Sequence, residues 1–334
     1  MNLQQKRIWK SWLITGIKIV LSFSIIIWLV QSGHLDLSGV KYLFTWQYGF
    51  IAATLVFLNF SLGSERWRWL LRSQNVEASS FTVLRLSLIG CFFNFAMPGG
   101  VGGDMVKAFY FHRELPHTKV IAISSVLIDR ILGLYSMILM ALLAMLYDYQ
   151  HVITVPTLIH LFKLILVLFS LASLGLMLIF SKWIYTRKYL FKILQRLPWS
   201  AKLIVFYESV HLYGKRPLRV LTSVAISMLS QSFAILFLYT IGSAAGYDLK
   251  AATYFLVAPL GFMATAVPLS PAGIGVGQAA FYFLFNTYTG RVSDIGPTTI
   301  TVYQFATFLL SLCGAYFYIH IKDKKKFELA KDPS

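Results

Sequence analysis

Four charged residues interrupt the apolar parts of this sequence at two places. Asp104 and Lys107 follow a glycine-rich stretch, and Asp129 and Arg130 lie inside the apolar run 117–147. If a helix enters the bilayer near Val120, Arg130 lies about ten residues, or roughly 15 Å, from its start, near the middle of a bilayer core about 30 Å thick. A charge at this depth costs about 2.5–3.5 kcal/mol even on lenient insertion scales, so it needs a partner or water.

Asp129 and Arg130 are poor partners for each other, because adjacent helical positions point in different directions. We expect their partners elsewhere, and Asp104 with Lys107 is the candidate pair. Two interpretations follow. The four residues bind a charged ligand, or they form a buried ion pair that only fixes the register of the helices.

Two breaks in the apolar sequence share the same composition. The first is PGGVGG at 98–103, with Pro98, Gly99, Gly100, Gly102 and Gly103, and the second is VPLSPAGIGVGQ at 267–278. The residues of the second break that we expect at a site are Pro271, Gly273, Gly275, Gly277 and Gln278. Non-helical backbone inside the hydrocarbon core is tolerated only where it is buried in protein or lines a water-filled cavity. The breaks are therefore candidate cavity-lining turns, although a glycine run also occurs where helices simply pack closely.

Each break is followed by renewed helical sequence, and a helix N-terminus inside the membrane attracts anions. After the first break, Asp104 either caps a helix predicted at 105–113 or takes part in binding. The second break contains no acidic residue, so we expect the helix N-terminus that follows it to bind a phosphate better than the first one does. Gln231, Gln278 and Gln304 are deep neutral groups, more typical of interhelical hydrogen bonds than of ligand contacts.

The composition indicates a membrane protein, since 57% of the 334 residues are hydrophobic and only 13% are charged. We predict an all-α polytopic fold with about eight hydrophobic segments, in which the two halves form an inverted pseudo-repeat. Two of the segments are broken hairpins, at 81–113 and 252–289, and the second is either re-entrant or two full spans. The six predicted full spans are 12–30, 46–64, 120–147, 158–181, 219–243 and 296–320.

The charge distribution predicts the orientation. Residues 182–219 hold nine Lys or Arg against one acid, and the tail is also basic. By the positive-inside rule these segments and both termini are cytoplasmic, in a cell (inner or plasma) membrane. The net charge of +17 therefore mainly reflects basic segments that set the orientation of the chain in the membrane. This argues against nucleic-acid binding.

One integral membrane domain is predicted at 1–321, followed by a basic cytoplasmic tail at 322–334. Within the domain, 182–218 alternates apolar with basic residues and is typical of an amphipathic interfacial helix, or else of a solvated basic loop. The histidines and cysteines show no metal-binding spacing, and no cofactor is expected.

Three motifs resemble the membrane region of lysylphosphatidylglycerol synthases, a flippase-like domain also found as stand-alone proteins. The motifs are N-x₃-PGG-x-GGD with a following lysine (Asn94 to Lys107), DR-x₂-GL (Asp129 to Leu134) and P-x-SPAGIGVGQ (Pro268 to Gln278). The resemblance implies a polytopic domain that moves or handles anionic lipid, with these motif residues at its binding site.

The chain departs from the family pattern at two positions. Gln278 stands where the family usually has a glutamate, and Gln304 where it usually has an arginine. We interpret them as a former ion pair replaced by two amides. The sequence also stops soon after its last span, where the full synthases continue into an aminoacyl-transfer domain, so lysine transfer is not expected.

A lipid flippase or transporter for an anionic, phosphate-bearing lipid is the leading function. Its lipid would be an aminoacyl-phospholipid or a polyprenyl-phosphate-linked sugar. The alternatives are a polyprenyl-phosphate-dependent glycosyltransferase, for which no D-x-D motif is present, and a non-transporting membrane partner of an envelope-biosynthesis enzyme.

Overall fold

A computed structural model of the chain describes residues 37–96, 102–114, 119–181, 209–267 and 269–331. Within these ranges the secondary structure is helical and includes no strand, which confirms the predicted all-α class. The α-helices are α1 (Trp46–Ser73), α2 (Ser80–Ala96), α3 (Gly102–Glu114), α4 (Lys119–Tyr147), α5 (Tyr149–Thr154), α6 (Pro156–Phe180), α7 (Pro217–Ala244), α8 (Ala251–Ala266), α9 (Val276–Thr289) and α10 (Ile295–Lys331). Short 3₁₀ helices occupy Leu37–Phe44 and Pro271–Gly273.

In the part of the chain that the structure describes, four helices are long and apolar enough to cross a membrane. They are Val120–Tyr147 within α4, Pro156–Phe180, Pro217–Ala244 and Ile295–His320 within α10. Each matches a span predicted from the sequence to within two residues. The predicted span at 12–30 lies outside the described residues, as do 182–208 of the basic segment.

The predicted span 46–64 lies within a longer helix. Helix α1 continues without a break to Ser73 and buries Trp67 and Leu71 on its way. The segment 64–72 contains no glycine or proline, and its Trp, Arg and Leu residues are compatible with a helix, so nothing ends α1 there. The helix stops before Asn75, whose φ of 58° lies in the left-handed region.

The two broken segments fold as pairs of short helices. Helices α2 and α3 contain 17 and 13 residues, and α8 and α9 contain 16 and 14. At 1.5 Å per residue they are about 20–26 Å long, each shorter than a hydrocarbon core of about 30 Å. The members of each pair pack against each other, and α2 also contacts the Pro271–Gly273 turn of the second pair.

Polar contacts join neighbouring segments at both ends of the bundle. At one end of the bundle Arg216 donates to the carbonyl of Arg72, at 2.8 Å. At the other end, the hydroxyl of Tyr288 donates to Asp148, and that of Tyr247 to Asp294. Basic residues thus lie together at the first end, whereas the second end pairs tyrosines with acids.

The C-terminal part of the basic segment packs into the bundle. Residues 209–214 are helical, Tyr213 is fully buried, and Gln74 donates to the Tyr213 hydroxyl at 2.9 Å. The last two positions of the predicted amphipathic segment 182–218 already belong to α7, which begins at Pro217. Helix α10 likewise continues through Lys331 into the predicted tail.

Candidate functional site

A cavity of about 330 Å³ lies inside the bundle, between the first helix pair and the long helices. On α1, Asn59, Gly63 and Arg66 face it at helical spacing. The other helices contribute Ser87, Gly90, Cys91 and Asn94 from α2, Asp104 and Lys107 from α3, Asp129, Arg130, Gly133, Leu134 and Met137 from α4, Ser230, Gln231 and Ala234 from α7, Phe262 and Ala266 from α8, and Tyr303 from α10.

The four charged residues singled out in the sequence come together at this cavity. Arg130 pairs with Asp104 through its Nε, and Lys107 Nζ lies 3.8 Å from Asp129 Oδ2. The pairing of α3 with α4 that the sequence suggested is therefore present. Lys107 also lies over the ring of Trp67, 3.8 Å from its centroid, in a cation–π contact that stabilises the buried ammonium.

Arg66 is the charged residue that the sequence interpretation missed. Its Nε donates to Asp129 Oδ1 at 2.7 Å, and its Nη1 donates to Ser227 Oγ at 2.8 Å. Two cations therefore lie at Asp129. The Arg66 guanidinium donates a hydrogen bond to its carboxylate, and the Lys107 ammonium lies 3.8 Å away. The spacing of Asn59, Gly63 and Arg66, at i, i+4 and i+7, was the signal in the sequence that all three share one helix face.

The glycine at position 133 makes room for the Arg66 side chain. A β-carbon added to Gly133 would lie 3.0 Å from Arg66 Nη1. The Gly133 carbonyl in turn accepts from Gln231 Nε2 at 3.0 Å, which joins α7 to α4. Gln231 is thus an interhelical hydrogen-bonding group, as its depth in the sequence indicated.

Asn94, rather than Asp104, caps the helix after the first break. The Gly103 N–H donates to Asn94 Oδ1 at 3.0 Å, whereas the Asp104 carboxylate pairs with Arg130. Helix α3 begins at Gly102, three residues before the predicted start. The cap interpretation of Asp104 is therefore wrong, because a neighbouring helix already supplies the acceptor.

Close packing of α2 on α3 depends on glycine at both contact positions. A β-carbon on Gly103 would meet the Gly90 carbonyl oxygen and lie 2.6 Å from Asn94 Oδ1. One on Gly90 would lie 3.3 Å from Lys107 Cβ. Small residues let two backbones approach in this way. The remaining residues of the first break, Pro98, Gly99 and Gly100, lie outside the described residues.

The second break has its own internal hydrogen bonds. The Gly275 N–H donates to Gln278 Oε1 at 2.7 Å, and Gln278 Nε2 donates to Gln304 Oε1 at 2.7 Å. Gln304 Nε2 closes the group by donating to the Ala272 carbonyl at 3.3 Å. The two amides are direct partners, at positions where the family resemblance implied an ion pair.

The second helix N-terminus, which the sequence favoured for a phosphate, is not among the described residues that line this cavity. None of the described residues of 269–278 lines the cavity, and neither does Gln304. Gln278 is 2% exposed, and its side-chain oxygen accepts a hydrogen bond from the Gly275 N–H. Pro271 and Gly273 lie in the 3₁₀ turn, whereas Gly277 lies in the first turn of α9. Positive φ values of 71° at Gly273 and 87° at Gly275 are conformations that glycine adopts without steric cost.

Two comparisons with known proteins agree with this architecture. The family described as the lysylphosphatidylglycerol synthase TM region matches residues 14–314. The UPF0104 membrane protein MJ1595 of Methanocaldococcus jannaschii is 23% identical over 295 residues, which cover 84% of this chain and 87% of that protein. No solved structure matches the chain significantly. The helical fold and the matched range together show that this chain is a multi-pass membrane protein of the lysylphosphatidylglycerol synthase TM region family.

Proposed function

We propose that this protein is a lipid flippase or transporter that handles an anionic, phosphate-bearing membrane lipid. The main support for this proposal is the net positive charge of the residues that line the cavity. Arg66, Lys107 and Arg130 supply three positive charges, and Asp104 and Asp129 supply two negative ones, so these five residues sum to +3 − 2 = +1. A partly desolvated site with a net positive charge favours a negatively charged headgroup.

Arg130 is the cation that we assign to the phosphate. Its side chain is 40% exposed, compared with 14% for Arg66 and 9% for Lys107. Arg66 and Lys107 are held by Asp129, whose side chain is 10% exposed. A guanidinium presents paired N–H donors that match phosphate oxygens. Arg130 therefore combines the right donors with access to a ligand.

Asp104 is the internal competitor for Arg130. When no lipid is bound, its carboxylate satisfies the guanidinium. A lipid phosphate that enters the cavity exchanges with Asp104, and the carboxylate reclaims Arg130 when the lipid leaves. Such an exchange keeps the cation paired at every stage, which avoids the cost of an isolated charge at depth.

The size of the cavity suits a headgroup rather than a whole lipid. Its volume of about 330 Å³ is at the lower end of the range for small-molecule sites. We propose that the acyl or prenyl chains stay in the bilayer while the headgroup passes through the cavity. An aminoacyl-phospholipid and a polyprenyl-phosphate-linked sugar both fit this description.

We propose six full spans and two re-entrant hairpins, α2–α3 and α8–α9. Their short helices and the contact between α2 and the Pro271–Gly273 turn support a meeting of the hairpins inside the bilayer, as in transporters with oppositely oriented repeats. The basic end of the bundle, with Arg72 and Arg216, is then cytoplasmic. The protein lies in the cell membrane with both termini on that side.

A reconstituted transport assay tests this function. The purified chain is placed in vesicles, and labelled anionic lipids are followed from one leaflet to the other, with a neutral lipid and protein-free vesicles as controls. Protein-dependent movement of an anionic lipid supports the proposal. Sugar transfer from a polyprenyl-phosphate donor without movement supports a glycosyltransferase. Neither activity, with stable binding to an envelope-assembly enzyme, supports a non-transporting partner.

A further inference from the structure

A group of arginines lies outside the cavity, where the end of α1 meets the start of α7. Arg216 Nη1 donates to the Arg72 carbonyl at 2.8 Å, and Arg219 Nη1 donates to the same oxygen. The side chain of Arg72 lies over the ring of Trp69, with its Cζ 5.6 Å from the centroid. Two guanidinium groups therefore share one carbonyl oxygen, and a third belongs to the residue that carries this oxygen.

No carboxylate balances these three arginines within the part of the chain that the structure describes. There, five ion pairs join a lysine or an arginine to an acid, and none of them includes Arg72, Arg216 or Arg219. The acid that is nearest in the sequence, Glu77, is exposed and pairs with none of them. Like charges that converge on one point repel each other. The arrangement therefore favours the binding of an anion.

Most N–H donors of the three side chains have no acceptor among the described residues. A guanidinium carries five such donors. Arg216 uses one on the Arg72 carbonyl and one on Asn75 Oδ1, at 2.7 Å, and Arg219 uses one on the carbonyl. All three side chains are half-buried. A phosphate supplies the missing negative charge and matches the paired donors of a guanidinium.

Capping of α1 explains only part of this arrangement. An arginine near a helix C-terminus commonly donates to the last carbonyls and interacts favourably with the helix dipole. The Arg72 carbonyl, however, also accepts from the Asn75 N–H at 3.2 Å, so one arginine already completes its two lone pairs. The second guanidinium is more than the cap requires.

The position of the arginines suits the headgroup of a membrane lipid. The apolar span of α7 begins at Pro217. Leu218 and Leu221, on either side of Arg219 in the sequence, are 74% and 65% exposed. Trp69 is half-buried beside Arg72, and tryptophan is enriched at membrane–water boundaries. A phosphate at the arginines would thus lie at headgroup level, with its acyl chains beside the exposed leucines.

We infer that Arg72, Arg216 and Arg219 bind the phosphate of an anionic phospholipid in the leaflet at the basic end of the bundle. This site is separate from the cavity, since none of the three residues lines it, and it does not depend on what the cavity carries. A lipid bound there joins the end of α1 to the start of α7. Its role is to stabilise the bundle.

Thermal unfolding of the purified full-length chain in mixed micelles tests this site. Phosphatidylglycerol is titrated into phosphatidylcholine micelles, and we expect it to raise the melting temperature. Arg219→Gln should need about fivefold more phosphatidylglycerol for the same shift, because one cation near a membrane surface contributes about that factor. Arg219→Lys keeps the charge and should retain most of the response.

Two further variants and a soluble anion serve as controls. Arg291→Gln removes the same charge from an exposed position outside the cluster and should leave the response unchanged. Arg130→Gln weakens binding in the cavity and should keep the stabilisation by phosphatidylglycerol. Inorganic phosphate, which supplies the anion without acyl chains, should stabilise the protein much less.

Four outcomes would overturn the inference. They are a normal response in Arg219→Gln, an equal loss of response in Arg291→Gln, a response that disappears in Arg130→Gln, and protection by inorganic phosphate as strong as that by the lipid. An Arg219→Gln variant that is destabilised equally with and without phosphatidylglycerol would show that this arginine only caps α1. Lipid movement in vesicles tests the cavity alone, so this site and the proposed transport can fail separately.

Discussion

Arg66 Nε lies 2.7 Å from Asp129 Oδ1, although 63 positions separate the two residues in the sequence. The pair joins α1 to α4 inside the bundle, and its side chains are only 14% and 10% exposed. Lys107 is the second cation on the same carboxylate. This arrangement divides the five charges into a buried structural group around Asp129 and a more open pair, Arg130 with Asp104.

Replacing Arg66 should strongly destabilise the protein. Arg66→Met leaves Asp129 with only Lys107, 3.8 Å away, and removing one partner of a buried ion pair costs about 3–5 kcal/mol. The free energy of unfolding in mixed micelles measures the effect. Arg68→Met on the same helix is the control, because its pair with Glu65 is more exposed and contributes less than about 1 kcal/mol. Equal losses in the two variants would contradict the structural role of Arg66.

Replacing Arg130 should weaken lipid binding more than it weakens the fold. Arg130→Gln removes the cation that we assign to the phosphate, and a charge-assisted hydrogen bond of about 1.5–3 kcal/mol corresponds to at least tenfold weaker binding and slower transport. Arg85→Gln is the control, since Arg85 pairs with Glu114 between α2 and α3 but does not line the cavity. Transport at the unmutated rate in Arg130→Gln would remove this residue from the mechanism.

Asp104→Asn should separate binding from movement. The neutral side chain no longer competes for Arg130, so we expect an anionic lipid to bind more tightly, by severalfold, while its transport slows because release lacks a counter-charge. Binding in detergent and movement in vesicles are measured on the same preparation. Faster transport, or weaker binding, would contradict the exchange between Asp104 and the phosphate.

Gly103→Ala should disrupt the first hairpin. The added methyl group would meet the Gly90 carbonyl and Asn94, and overpacking of this kind costs about 1–3 kcal/mol. Gly175→Ala on α6 is the control, because its β-carbon meets nothing within 4 Å and a helical alanine gains up to about 1 kcal/mol. Thermal unfolding of the two variants should therefore shift in opposite directions, and a neutral Gly103→Ala would refute the close contact.

Gln278 and Gln304 should be energetically coupled. Leucine at either position breaks the amide–amide bond of 2.7 Å, and leucine at both removes the two partners together. A double-mutant cycle on unfolding free energy should give a coupling of about 0.5–3 kcal/mol. Additive losses would mean that the two amides do not act as a pair.

Much of the fold follows from the sequence alone, because a membrane span is a local property of length and apolar composition. The four long spans were predicted within two residues, and the two glycine-rich breaks correctly marked two pairs of short helices. Asp104, Lys107, Asp129 and Arg130 were recognisable because a charge inside an apolar run is costly and therefore informative. The motifs around them also indicated the family.

Only the tertiary structure decided which charges meet. Arg66 lies in a stretch rich in charge and tryptophan, where one more arginine carries no signal of burial, and its partner is distant in the sequence. Asn94 displaced Asp104 as the cap, and Gln278 occupied its own helix end, because the packing of neighbouring helices selects hydrogen-bond partners that local sequence leaves open.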